Sequence, residues 1–162
     1  MARIAAGLKN WFPGFTETAA FFGSQLMEEH KCPFSAPLIT RQFGCAHAQE
    51  VIHRGGAEIN CTQAAAQADC AQLFQNMKAA ALPAFGVEDD LLSMPHSVLV
   101  KIQYGGLLGL QRLQGGSTAE SAAVKNIHGL VDQAIGKHGG LDAIPCQAFV
   151  EDMTSYKLKR RR

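Results

Sequence analysis

No stretch of 18 apolar residues in the chain is free of charge, so no membrane-spanning helix is expected. The richest run, Val98 to Leu113, is interrupted by Lys101, Gln103, Gln111 and Arg112. The start, Met1 to Gly14, lacks a basic region followed by an apolar run and a small-residue cleavage site, which points away from secretion. The expected home is therefore a reducing cytoplasm. There is no G-x-S-x-G, no P-loop, and no G-x-G-x-x-G following a strand. The enzyme reading thus has no catalytic constellation behind it. Aromatic residues make up 7% of the chain and charged residues 18%, while hydrophobic residues reach 47%, so the composition is globular rather than disordered.

A strong excess of charge of one sign is also missing from most of the length. Lys157 to Arg162 hold five positive charges; the rest has 10 positive against 14 negative, a net of −4. A mildly acidic body argues against broad nucleic-acid binding, and the basic end reads as a solvated tail. The expected organisation is one helical domain over residues 1–156, with a basic C-terminal tail at 157–162.

No good pair of strands can be read from the sequence. The pattern predicts an all-α fold, a compact bundle of five to seven helices around a buried helix at about 95–113. Residues 2–12 and 16–30 read as amphipathic helices, the second capped by Thr16. Ser35-Ala36-Pro37 looks like a helix start. Ala46 to Arg54 reads as a further helix stopped by Gly55-Gly56, with 57–60 extended or in a loop. A long Ala-rich helix over 63–82, capped by Thr62 and ended by Pro83, follows. Ser93 caps the central helix. Ser117-x-x-Glu120 is a capping box for a helix running to about Gly136. The last helix, from Asp142 or Ile144, turns Cys146, Phe149, Val150 and Met153 inward.

What the chain does have is cysteine. Four of its five lie in one stretch, Cys32, Cys45, Cys61 and Cys70, in the pattern C-x12-C-x15-C-x8-C. His30 and His47 each stand two residues from a cysteine. Without a secretory signal, such a set points to metal binding, redox chemistry or buried thiols rather than disulfides. Four thiolates meet the ligand count of an iron–sulfur cluster or a zinc ion. The spacing departs from zinc-finger, ferredoxin, thioredoxin and copper-storage patterns, because no C-x2-C knuckle is present.

Helix geometry makes the site conditional. On one continuous helix, Cys61 and Cys70 would sit about 180° apart and about 13 Å apart along the axis. They can share a ligand only if the helix begins after Cys61. The expectation is an iron–sulfur cluster, of the 4Fe-4S type, held by Cys32, Cys45, Cys61 and Cys70, with His30 and His47 in reserve. Its role would be electron transfer, redox sensing or cluster delivery to a protein partner, which would be a redox partner or a cluster acceptor; a homodimer is compatible with so apolar a chain. The alternative is a non-catalytic helical binding or structural module, with zinc or free thiols at the same residues and the Gly105/Gly109 face available for association. A third reading is a reactive-cysteine enzyme with His47 as base. Glu50-x-x-His53 shares a helix face but lacks the second copy that a di-iron carboxylate site needs, so it reads as a solvated face. His128 reads as exposed beside Lys125 and Asp132, His138 as a loop residue, and Cys146 as core.

Overall fold

The fold was obtained as a computed structural model, which describes residues 30–89, 94–116 and 123–158. The expected helices at 2–12 and 16–30, the Ser93 cap, the Ser117–Glu120 capping box and the end of the basic tail lie outside these residues.

The elements run α1 (Ser35–Ile39), β1 (Ala48–His53), β2 (Gly56–Cys61), α2 (Ala64–Phe85), α3 (His96–Leu113), α4 (Ile127–His138), a 3-10 turn (Cys146–Phe149) and α5 (Val150–Ser155). Among the described residues, five helices and a two-stranded antiparallel sheet replace the all-α bundle that the pattern predicts. The correction falls on residues 46–61. The expected helix at Ala46–Arg54 is strand β1, paired with β2 in register from Ala48 opposite Cys61 to His53 opposite Gly56. Arg54-Gly55 forms the two-residue turn, and Gly56 takes φ +122°, a conformation that favours glycine. Val51 and Ile52 are β-branched, and only Ile59 of the twelve paired residues is fully buried, so no helical stripe exists to be covered.

The helical part follows the sequence more closely. Helix α3 starts one residue after the expected position and ends at Leu113. Its Ile102, Leu107 and Leu110 are fully buried beside Leu73 and Met77 of α2, Val131 of α4, and Phe149 and Met153. Gly105 and Gly109 permit a close approach of α3 to α5 and the 3-10 turn. A Cβ on Gly105 would land on the backbone of Asp152 and Met153, and one on Gly109 on Phe149. This face is therefore filled by α5 and the 3-10 turn of the same chain, which removes it as an association surface. Arg112 pins the contact from the rim through a 2.7 Å bond to Asp152.

Several boundaries shift for local reasons. Pro83 lies inside α2, which runs on to Phe85 and ends at Gly86, φ +66°. A proline so near the C-terminus removes only one intrahelical bond. The N-cap of α2 is Gln63, because the Thr62 hydroxyl instead donates to the His47 carbonyl. Helix α4 begins at Ile127, leaves Ala123 and Val124 outside, and includes Gly136 and His138. Among the described residues no helix is long and apolar enough to cross a membrane.

Candidate functional site: a four-cysteine pocket

The hairpin is what positions the cysteines. Residues 30–32 run beside β2 as a short antiparallel bridge, Lys31 opposite Asn60. The Cys32 amide donates to the Ile59 carbonyl at 2.9 Å, and the Cys61 amide donates to the His30 carbonyl at 2.7 Å. This pairing brings Cys32 alongside Cys61 at the end of the sheet. Cys61 is the last residue of β2, and α2 starts three residues later at Ala64. The helix therefore begins after Cys61, and Cys70 projects from its second turn on the same side as Ala66.

Cys45 arrives by a different route. The Gly44 amide donates to the Val124 carbonyl at 2.8 Å, and the Ile127 amide donates to the Gly44 carbonyl at 2.9 Å. These bonds stitch the loop before β1 to the start of α4. A Cβ at position 44 would come 2.6 Å from the Lys125 carbonyl oxygen, so the stitch needs glycine. The Ala46 amide adds a bond to Asn126 Oδ1 at 3.1 Å.

Cys32, Cys45, Cys61 and Cys70 all line one small pocket, together with Pro33, His47, Ala48, Ala66, Gln67, Ile127 and His128, around a cavity of about 10 Å³. All five cysteines of the chain are free thiols. Cys70 is only 6% exposed, while Cys32, Cys45 and Cys61 are half-buried. The sulfurs are not drawn into a tight knot. Among the described residues, no three of them lie within 4.8 Å of one another. The Cys61 thiol donates to the Gln63 carbonyl at 3.2 Å.

Burial dominates the electrostatics. Desolvation pushes the Cys32 thiol up to about 11, helped by the neighbouring Cys45 and Cys61 and opposed by a backbone bond at Phe34. Cys70 is pushed up further, first by desolvation and then by Cys32, Cys45, Cys61 and Asp69. Each thiolate would thus raise the cost of the next, as expected of acidic groups sharing one low-dielectric space. Both thiols are neutral at pH 7, the opposite of an activated nucleophile. Neither is suited to the reactive-cysteine reading.

The histidines divide. His47 is on the pocket wall, and its carbonyl accepts from the Thr62 amide at 2.9 Å. His30 contributes its backbone but is not among the lining residues. His128 is the residue the sequence reading misplaced: it is half-buried on the wall, its ring 4.9 Å from that of His47 at 75°. Its Nδ1 lies 3.4 Å from Asp132 Oδ2. The only signal for it in the sequence is its spacing of four from Asp132. Glu50 and His53 are three apart on a strand, so they point to opposite faces and share no site. Asp89 pairs with the buried Lys78 at 2.9 Å. Cys146 is 7% exposed in the core, as expected.

The donor set can be compared with what each candidate group requires. A tetrahedral zinc with bonds of about 2.3 Å holds its four sulfurs about 3.8 Å apart. A 4Fe-4S cluster spaces its thiolate sulfurs by about 6 Å and sits in largely apolar walls. The four thiols share one pocket, but no three lie inside 4.8 Å, so as they stand they are dispersed and drawn into neither arrangement. The chain matches no protein-family model, and no curated protein or solved structure is similar to it.

Proposed function

We propose that this chain is a small iron–sulfur cluster-binding protein with a redox role, in electron transfer, redox sensing or cluster delivery, using Cys32, Cys45, Cys61 and Cys70 as ligands. The observation that carries the reading is the convergence of the four thiols, from the segment before α1, the loop before β1, the end of β2 and the second turn of α2, on one pocket. When bound, such a cluster supplies one-electron chemistry at a potential set by charge, hydrogen bonding and exposure.

The protein's own residues do the rest. The bridge between residues 30–32 and β2 fixes two thiols relative to each other. The Gly44 stitch fixes the third against α4, and α2 supplies the fourth. Ile127, Ala66 and Pro33 provide apolar wall, which keeps water from the site. Loading requires the thiols to lose their protons, so the ligands are held neutral until metal takes their place. The reducing compartment this implies is the cytoplasm, in keeping with five free thiols. The partner would be a redox protein or a cluster acceptor, and no nucleic acid is involved.

A second reading keeps the same residues without a cluster: a binding or structural module with zinc or unliganded thiols. The desolvation of Cys32 and Cys70 favours it, because neutral buried thiols are stable as they stand. Anaerobic purification separates the two. A brown protein absorbing near ~400 nm supports the cluster. A colourless, iron-free protein with full helix content rules it out.

A further inference from the structure

Beside the cysteine pocket, Asp69 of α2 and His128 and Asp132 of α4 bring one donor atom each to within 4.8 Å of one another. Among the described residues no other three histidine, cysteine or carboxylate side chains converge this closely. The geometry points to a second site, for a single divalent first-row ion of oxygen and nitrogen preference, held by these three residues and separate from the four thiols.

The first argument is charge. His128 and Asp132 are one turn apart on α4 and form an ordinary ion pair when the imidazole is protonated. That pair does not account for Asp69. It comes from another helix, is half-buried, and no lysine or arginine among the described residues pairs with it or with Asp132. Two carboxylates thus each bring an oxygen to within 4.8 Å of the other and of one imidazole nitrogen. Like charges so placed repel, and with the imidazole neutral a bound cation relieves that repulsion. A divalent ion with two carboxylates and a neutral imidazole leaves the site without net charge.

The second argument is geometry. His128 Nδ1 and Asp132 Oδ2 are 3.4 Å apart. Ligand atoms about 2.1 Å from a shared ion in tetrahedral array are separated by about 3.4 Å. One histidine and two carboxylates suit manganese, iron(II), cobalt or zinc, and leave positions open to water or a further ligand. The site also joins two walls of the pocket. Asp69 precedes Cys70, and His128 itself lines the thiol pocket. An ion here would clamp α2 to α4 at the level of the cysteines.

Manganese(II) is the discriminating probe, because it has little affinity for thiolates. The full chain is titrated with manganese, and free ion is followed by electron paramagnetic resonance. Iron and sulfide are measured on the same samples, so the thiol pocket is read independently. One ion per chain is expected, with a dissociation constant below about 100 µM. Asp69→Asn and Asp132→Asn are each expected to weaken binding at least about tenfold, whereas Glu88→Gln, exposed in the loop after α2, leaves it unchanged. The thermal midpoint of the unsubstituted chain rises with manganese, and that shift is lost in both asparagine variants. Binding weaker than about 100 µM, or binding that survives both asparagine variants, overturns the site. Circular dichroism of each variant shows that loss of binding is not loss of fold.

Discussion

The segment from residue 30 to 61 and the packing of α3 against α5 are built on opposite principles. The α3–α5 contact is held by shape: glycines at 105 and 109 let two backbones meet, beside the fully buried Phe149 and Met153. The 30–61 segment has few fully buried residues. It is held by backbone bonds that reach across the chain, from 32 to 59, 61 to 30, 44 to 124 and 127 to 44. One region specifies the fold by packing; the other uses that fold as a base and presents thiols from it. Substitutions in the first should therefore cost stability, and substitutions in the second should cost the bound group.

The sharpest break of this comparison is Gly105→Ala. Its methyl group meets backbone on α5 that cannot give way, so a loss of about 3 kcal/mol or more is expected in urea unfolding. Leu73→Ala, at a fully buried position of α2, follows at about 2–5 kcal/mol. A small effect at Gly105 would mean that α5 is not docked as described. In the other region, Cys61→Ser should lower bound iron severely while moving the stability of the metal-free chain by about 1 kcal/mol or less. Equal iron content in variant and parent would remove Cys61 from the ligand set.

Tyr104 joins the two regions. Its hydroxyl bonds to Thr40 and donates to the Ala36 carbonyl at 3.2 Å, tying α3 to α1. Tyr104→Phe is expected to cost about 1 kcal/mol, since two bonds are lost but the ring stays packed. Cys146 provides a pH test confined to the core. Burial raises its thiol from 9.0 to about 11. Its contribution is therefore complete below pH 9.0 and lost as pH climbs toward about 11, because the unfolded chain releases the proton first. The thermal midpoint should fall over that interval, and less steeply in Cys146→Ala. Ile52→Thr sits at the other extreme: at 81% exposure near the hairpin tip, it should change stability by less than about 0.5 kcal/mol.

The same contrast explains what was legible in the sequence. Helix α3 announces itself through eighteen residues of nearly all-round apolarity, and α2 through its length and alanine content. The hairpin is six residues a side, with alanine, glutamine and glutamate in β1, and no buried face to impose a period of two. Its pairing depends on the turn at Arg54-Gly55 and on the strand-like run before Phe34, a contact across some thirty residues that no local pattern encodes. The cysteine set was legible as a count, and the requirement that α2 begin after Cys61 followed from helix geometry. His128 was not legible: a histidine four residues before an aspartate on a helix looks like a surface pair, and only the Gly44 stitch carries it to the thiols.

The most direct measurement is the iron, sulfide and zinc content of the protein made and purified without oxygen. The cluster reading predicts iron and acid-labile sulfide in equal amounts, near about four of each per chain, with little zinc. Zinc near one per chain without sulfide, or a protein free of all three, would contradict it.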